Sequence, residues 1–366
     1  TKLEKIYRNH ELGWLYYIQT KGNSPQWGLA DDEFKGNGNW PYRLYVREGR
    51  RIEGVYRLTE SDIHKDLRGN GFRGPLHQDG IAIGVYPIDS HFVQSPTSES
   101  PHGEGSIHLN DATGPYQIPY GVMVPGKLNG LLVPVAISST HVAISAVRME
   151  PVWSSLGQAA GVAAAVALDD EREIRDVSVP KVQDILLQQK CLLFFYKDMP
   201  VDRDSYKATT KDSAQFIAIQ KLSLKDSIDG DENYYFRSEQ PITTGEIARL
   251  AVNGLDISIS ITAAHFVDVP RSNPYFNYIE TLYDYSTQAA KPFFSYEVRN
   301  YLNYWWGSSS LQGPPVYAYP DHAVSGKQAL EIISGLLQKS ITGAEIHDGI
   351  LTRGEAALMI YHILSK

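Results

Sequence analysis

What this sequence has little of narrows it first. Among its 366 residues there is one cysteine, Cys191, so no internal disulfide forms and no cysteine-based zinc site can be built. Positive charge is also short: 34 Lys and Arg stand against 42 Asp and Glu, a net of -8. Binding nucleic acid through its phosphates needs a basic face, so no nucleic-acid partner is expected. The most apolar stretch, 130–168, is interrupted by Pro134, His141, Arg148, Glu150 and Pro151. No membrane span of roughly 20 clean apolar residues is therefore expected. The chain opens on Thr1 without methionine or signal-peptide pattern, which raises the expectation of a processed or partial polypeptide.

What is present suffices for a core: 42% of residues are hydrophobic and 21% charged, the balance of a globular protein of two or three domains. The 23 tyrosines lean toward an extracytoplasmic or sugar-handling protein. Residues 5–21 carry a helical face of Ile6, Leu12, Leu15, Tyr16 and Ile18, ended by Gly22-Asn23-Ser24-Pro25. Segments 42–46 and 52–58 read as a hairpin, and 81–88, 116–124 and 131–137 as further strands. Thr59 with Asp62 three residues on marks a helix start, and Pro151 opens a helix to about Leu168. In the last third, Ile242-Thr-Thr-Gly-Glu246, Val324-Ser-Gly-Lys-Gln328 and Leu351-Thr-Arg-Gly-Glu355 share one grammar. Each is an aliphatic residue, a hydroxyl cap, two residues, then Glu or Gln, the pattern of a capped helix start.

Two apparent motifs carry little. Gly69-Asn-Gly71-Phe-Arg-Gly74 matches the dinucleotide fingerprint letter for letter. It follows a polar helical segment rather than a buried strand, and no acidic residue ends a second strand about 20 residues on, so it reads as a loop. His77, His91, His102, His108 and His141 fit no HxxxH or HExxH spacing, so no metal is expected; His102 and His108 lie in a loop. By spacing alone, His91 and His141 read as hydrogen-bonded core or cleft histidines.

The stronger signal is Ser138-Ser-Thr-His141, Arg148-Met-Glu-Pro151 and Leu156-Gly-Gln-Ala-Ala-Gly161. A helix of Ala, Gly and Val lets a flat group or another element approach closely, and its amino end favours an electron-rich partner. With Trp27–Phe34, Tyr45–Glu48, Arg50–Ile52, Tyr86–His91 and Tyr116–Tyr120, this order resembles the C-terminal half of bacterial FAD-dependent oxidoreductases, a family in which some members are labelled xanthan lyase. The resemblance covers roughly residues 5–195. It implies an α/β fold, a mixed sheet of FAD/NAD(P)-binding type without the N-terminal Rossmann segment, followed by a mostly α-helical domain. The boundaries expected are 1–200 and 201–366.

By that resemblance Arg148, Met149, Glu150, Ser155, Gly157, Gln158 and Ala159 contact FAD, while His141, His91 and Arg148 serve catalysis. A hydride would pass from a small-molecule or carbohydrate substrate to the flavin, with the helix amino end and Arg148 steadying negative charge and a histidine taking the proton. An upstream FAD-binding segment is the expected partner. The C-terminal motifs, with Phe266-Val-Asp-Val-Pro270, resemble degenerate S-layer homology repeats, which implies either a tether at the cell surface or a plain helical appendage packing on the oxidoreductase half. A polysaccharide lyase using Arg50 or Arg51 against a uronate, and a non-catalytic wall- or sugar-binding protein, remain open. Trp305-Trp306 with Tyr301 and Tyr304 reads as an aromatic core or contact cluster.

Overall fold

The computed structural model describes residues 1–92, 96–99, 101–103, 105–199, 210–289, 297–298, 316–338 and 348–364; the cluster expected at 301–306 lies outside them. They form two compact units, Thr1–Arg50 and Arg51–Lys366. Helix and sheet are mixed, with ten α-helices and three two-stranded antiparallel sheets among the described residues.

In the first unit, α1 (Lys2–Thr20) starts with a reciprocal capping box between Thr1 and Glu4 and buries none of its residues. The rest is loop, pinned by Arg8 over the Trp40 ring and by Phe34 edge-on to Tyr42. The strand expected at 42–46 is absent.

The second unit runs α2 (Glu60–Ile63), β1 (Gly80–Gly84), β2 (Ile88–Asp89), β3 (His108–Leu109), β4 (Tyr116–Pro119), α3 (His141–Val147), α4 (Glu150–Asp169) and α5 (Val179–Gln188). Then come α6 (Thr210–Leu224), α7 (Thr244–Gly254), α8 (Phe276–Gln288), β5 (Glu297–Val298), β6 (Val316–Tyr317), α9 (Gly326–Leu337) and α10 (Arg353–Leu364).

Residues 52–58 form no hairpin. Tertiary pairing overrides their strand pattern and threads them between two distant segments: the Val55 and Tyr56 N–H groups donate to Val124 and Gly121, those of Ile52 and Leu58 to Ala136 and Ser138. Only glycine fits at the crossing, because a Cβ on Gly54 would lie 2.8 Å from the Ser138 Cβ and 2.9 Å from the Gly121 carbonyl. The segment 131–137 is likewise irregular, and the strand expected over 116–124 stops at Pro119, where a 3-10 turn over Tyr120–Met123 takes over. The expected strand at 81–88 is divided between β1 and β2.

The helix expected at 151–168 is α4. It buries Val152, Leu156, Ala159, Val162, Ala163, Val166 and Ala167 against β1 and α5. The expectation that no segment has membrane-spanning character needs correction: at 20 residues and mean hydropathy 1.3, α4 is long and apolar enough. The interruptions that argued otherwise, Arg148 to Pro151, lie at or before its first turn. The structure gives it a one-sided burial pattern instead, as in a helix packed on a core.

The three repeated motifs converge. Thr243, Ser325 and Thr352 each begin a helix, and each exchanges side-chain and backbone bonds with Glu246, Gln328 or Glu355 three residues on. The aliphatic residues before them close a cycle of backbone bonds: Ile242 N–H to Leu351 carbonyl at 2.9 Å, Leu351 to Val324 at 2.9 Å, and Val324 to Ile242 at 3.0 Å. A second cycle repeats this one step outward, Thr244 to His322, Gly326 to Gly349 and Arg353 to Gln240. The last third is therefore a ring of three equivalent helix starts.

A further correspondence escaped the sequence reading. Asp268 of Phe266-Val-Asp-Val-Pro270 accepts the N–H groups of Ala318 and Tyr319 at 2.9 and 2.7 Å. Asp198 of Tyr196-Lys-Asp-Met-Pro200 accepts those of Phe236 and Arg237 at 2.8 and 2.7 Å. Arg237 and Tyr319, each six residues before a capping residue, both have left-handed backbone, φ 58° and 51°. Phe-Val-Asp-Val-Pro thus has a degenerate copy 70 positions earlier, hidden because only Asp and Pro are kept.

Candidate functional site

The site is built where β2, β3 and the α3–α4 junction meet. β2 and β3 pair antiparallel so that Asp89 stands opposite His108, which places their side chains on one face. The His108 Nδ1–H donates to Asp89 Oδ1 at 2.7 Å. The buried Ser90 hydroxyl accepts the Ile107 N–H at 2.9 Å and donates to the Gly105 carbonyl, fixing the chain that leads into β3. His141 Nε2–H donates to that same carbonyl at 3.2 Å.

Helix α3, where the sequence suggested only a polar turn, exists because the Thr140 hydroxyl caps it by accepting the Ala143 N–H at 3.2 Å. Its Ser145 hydroxyl accepts the Asp89 N–H at 3.2 Å. Arg148 closes α3, is buried, and donates from Nη2 to the Asp89 carbonyl at 2.8 Å while lying 3.6 Å from Asp89 Oδ2. The Tyr86 hydroxyl reaches the same carboxylate oxygen at 3.4 Å. Asp89 is thus the hub that joins His108, Arg148, Tyr86 and α3.

Met149 follows Arg148 and is the N-cap of α4, without a side-chain cap. The amino end of α4 offers fewer backbone donors than its position promised: Pro151 has no N–H, and the Val152 and Trp153 N–H groups donate to the Met149 carbonyl. Glu150 adds a carboxylate at this end. What is open is the flank. Ser155, Gly157, Gln158 and Gly161 are exposed, and a Cβ added to Gly157 or Gly161 meets no atom within 4 Å. The Ser155 hydroxyl donates to the Pro151 carbonyl at 2.9 Å, and the Gln158 amide to Gln189 at 2.7 Å. Ala159 faces the core and is fully buried. The Trp153 indole N–H, one turn into α4, is buried without a hydrogen-bond partner.

Of the residues singled out in the sequence, the structure groups Arg148, Met149, Glu150 and the first turns of α4 at one junction. His141 braces the Gly105 loop, and His91 is exposed just beyond Ser90. The residue that sequence reasoning passed over is His108. Its signal was its place in a His-Leu pair across from Asp89, and only strand register reveals that partner. Among the described residues no three His, Cys, Asp or Glu side chains converge on a metal position. The loop 69–74 closes on itself: the Asn70 side chain accepts the N–H groups of Phe72 and Arg73, and a Cβ on Gly69 would lie 1.9 Å from the Arg73 carbonyl. Arg51 donates to the Ser139 carbonyl at 3.1 Å.

A second polar cluster surrounds Asp62, which is 1% exposed. It accepts the Thr59 N–H and hydroxyl at 2.7 and 2.8 Å and the Tyr56 hydroxyl at 2.7 Å, with Arg68 and His77 at 3.4 and 3.5 Å. Burial alone would raise its pKa, but the hydrogen bonds from His77, Tyr56 and Thr59 outweigh this and hold it well below the usual carboxylate range. Burial, with the bond to Asp62 and its charge, pushes Tyr56 up to about 12. These groups consume one another's hydrogen bonds and form a structural knot.

Compared with known families, the model of the FAD dependent oxidoreductase family matches residues 2–186. No curated protein matches the chain.

Proposed function

Because the chain belongs to the FAD dependent oxidoreductase family, we propose that the open flank of α4, with Arg148 and Met149 at its mouth, is the wall against which the flavin ring lies. The substrate in this reading is a small or sugar-like molecule that gives up a hydride. The observation that carries it is the clear space beside Gly157 and Gly161, inside the family-matching stretch and roughly two to four helix turns past Arg148. Small side chains there let a flat ring approach the helix backbone. The unpartnered Trp153 indole N–H suits a group rich in acceptors, which the flavin ring is.

Bound FAD supplies the two-electron acceptor. The chain's own part is to orient the ring on α4 and to set a fixed positive group, Arg148, near developing negative charge; that charge is shared with Asp89. The ADP half of FAD finds no such fit. Among the described residues every sheet is antiparallel and the glycine loop 69–74 is closed, so that half falls to an FAD-binding segment outside them.

Titration of the full chain with riboflavin and, separately, with ADP tests this. Riboflavin fluorescence is expected to be quenched and ADP to give no heat of binding. Gly157→Trp, which fills open space and leaves the far-UV spectrum unchanged, is expected to abolish the quenching. Undiminished quenching by the variant refutes the reading.

A second reading concerns the helical ring, whose cyclic backbone bonds favour repeat architecture. In this reading the ring is a tether to cell-wall polymer and the protein works at the cell surface. Sedimentation of the full chain with purified wall sacculi is expected, and its staying in the supernatant rejects the tether.

A further inference from the structure

Resting on the flavin reading, we propose that His108 is the proton acceptor of the oxidation and Asp89 the residue that positions it. The geometry is directional. A carboxylate only accepts, so the 2.7 Å contact with Asp89 commits Nδ1 as the donor and leaves the Nε2 lone pair as the basic site. The Ser106 hydroxyl donates to Nε2 at 3.3 Å, a long bond that a substrate hydroxyl would replace. The His108 side chain is 56% exposed and that of Asp89 26%, so an outside molecule can reach the ring while its orienting partner stays more covered.

Asp89 is itself held from three sides. Arg148 binds its carbonyl, the Ser145 hydroxyl accepts its N–H, and the Tyr86 hydroxyl meets its carboxylate. Arg148 is two residues from Glu150, the first residue of α4, so one side chain connects the dyad to the helix that carries the ring.

In the step, the substrate O–H and the adjacent C–H both break and a C=O forms. The hydroxyl proton goes to His108 Nε2, and the hydride, with its electron pair, goes to the oxidised flavin. His108 then passes the proton to solvent, to which it is open.

Three measurements on the full chain decide this. Long-range ¹⁵N NMR is expected to show His108 in the Nδ1–H tautomer, shifting toward Nε2–H in Asp89→Asn. Diethyl pyrocarbonate is expected to modify His108 faster than His91 or His141, and about tenfold more slowly in Asp89→Asn. With FAD, D-glucose and dichlorophenolindophenol, His108→Gly is expected to reduce the dye about a hundredfold more slowly, the size of a lost general base, and imidazole to restore the rate. An Nε2–H tautomer, or a His108→Gly protein with wild-type turnover, overturns the assignment while leaving the flavin reading intact. No dye reduction by the unaltered chain, with riboflavin still quenched, removes the catalytic role of His108 and leaves ring binding standing.

Discussion

Asp62 shows what a single buried carboxylate can hold. It gathers Tyr56, Thr59, Arg68 and His77 around two oxygens. Its pKa is lowered in the folded state, so its contribution to stability is fully present above its unfolded pKa of about 4 and is lost as pH falls below that. Asp62→Asn is expected to cost about 2–4 kcal/mol at pH 7, the range for breaking a buried charged hydrogen-bond set. Urea unfolding should show the gap narrowing as pH drops below about 4. Thr59 and Asp62 were legible in the sequence because a capping box is local. Tyr56 and His77 were not, since loop packing brings them in. The same contrast governs the candidate site. Arg148 and Met149 could be picked out from their place before a small-residue helix. His108 could not, because its partner Asp89 is 19 positions away by chain number and opposite only through strand register.

Among elements, the helices whose cap or opening proline stood out in the sequence were read, while α3, α5, α6, α8 and most strands were not. α1, α4 and the three capped starts announce themselves through spacing and caps within one or two turns. The strands are two to five residues long, too short for alternation to show, and residues 52–58 give their backbone bonds to segments more than 60 positions away. The paired aspartates are the clearest element-level device. Asp198 and Asp268 each satisfy two consecutive N–H groups ahead of a capped helix, at buried Phe236 and Ala318. Asp198→Ala and Asp268→Ala are each expected to cost about 2–3 kcal/mol, as charge-assisted bonds to buried donors do. Thermal unfolding of both variants checks this, and a loss at Asp268 alone would deny the equivalence.

Across the molecule, the family-matching stretch and the helical ring are joined by Arg73. Its guanidinium is buried, lies 3.2 Å from Asp229, donates to the Phe195 carbonyl at 2.9 Å and is boxed by Phe72, Phe194, Tyr196 and Tyr234. Burial raises the Asp229 pKa, and Arg73 is the main influence opposing it. Arg73→Met strands that carboxylate and is expected to cost about 3–5 kcal/mol, with Asp229→Asn added in the same chain recovering much of it. Because Asp229 then has a folded pKa further above its unfolded one, the single variant's deficit grows as pH rises through the folded value and shrinks on acidification. Guanidinium titrations of the single and double variants between pH 4 and 8 read both effects.

The closed cycle of Ile242, Val324 and Leu351 has a consequence for synthesis. Its third member lies 109 positions after its first, so the circuit stays open until Leu351 has been made. A nascent protein stalled before Leu351 would leave the Ile242 N–H and the Val324 carbonyl facing a gap, and removing Leu351 from a finished molecule would unlock the loop.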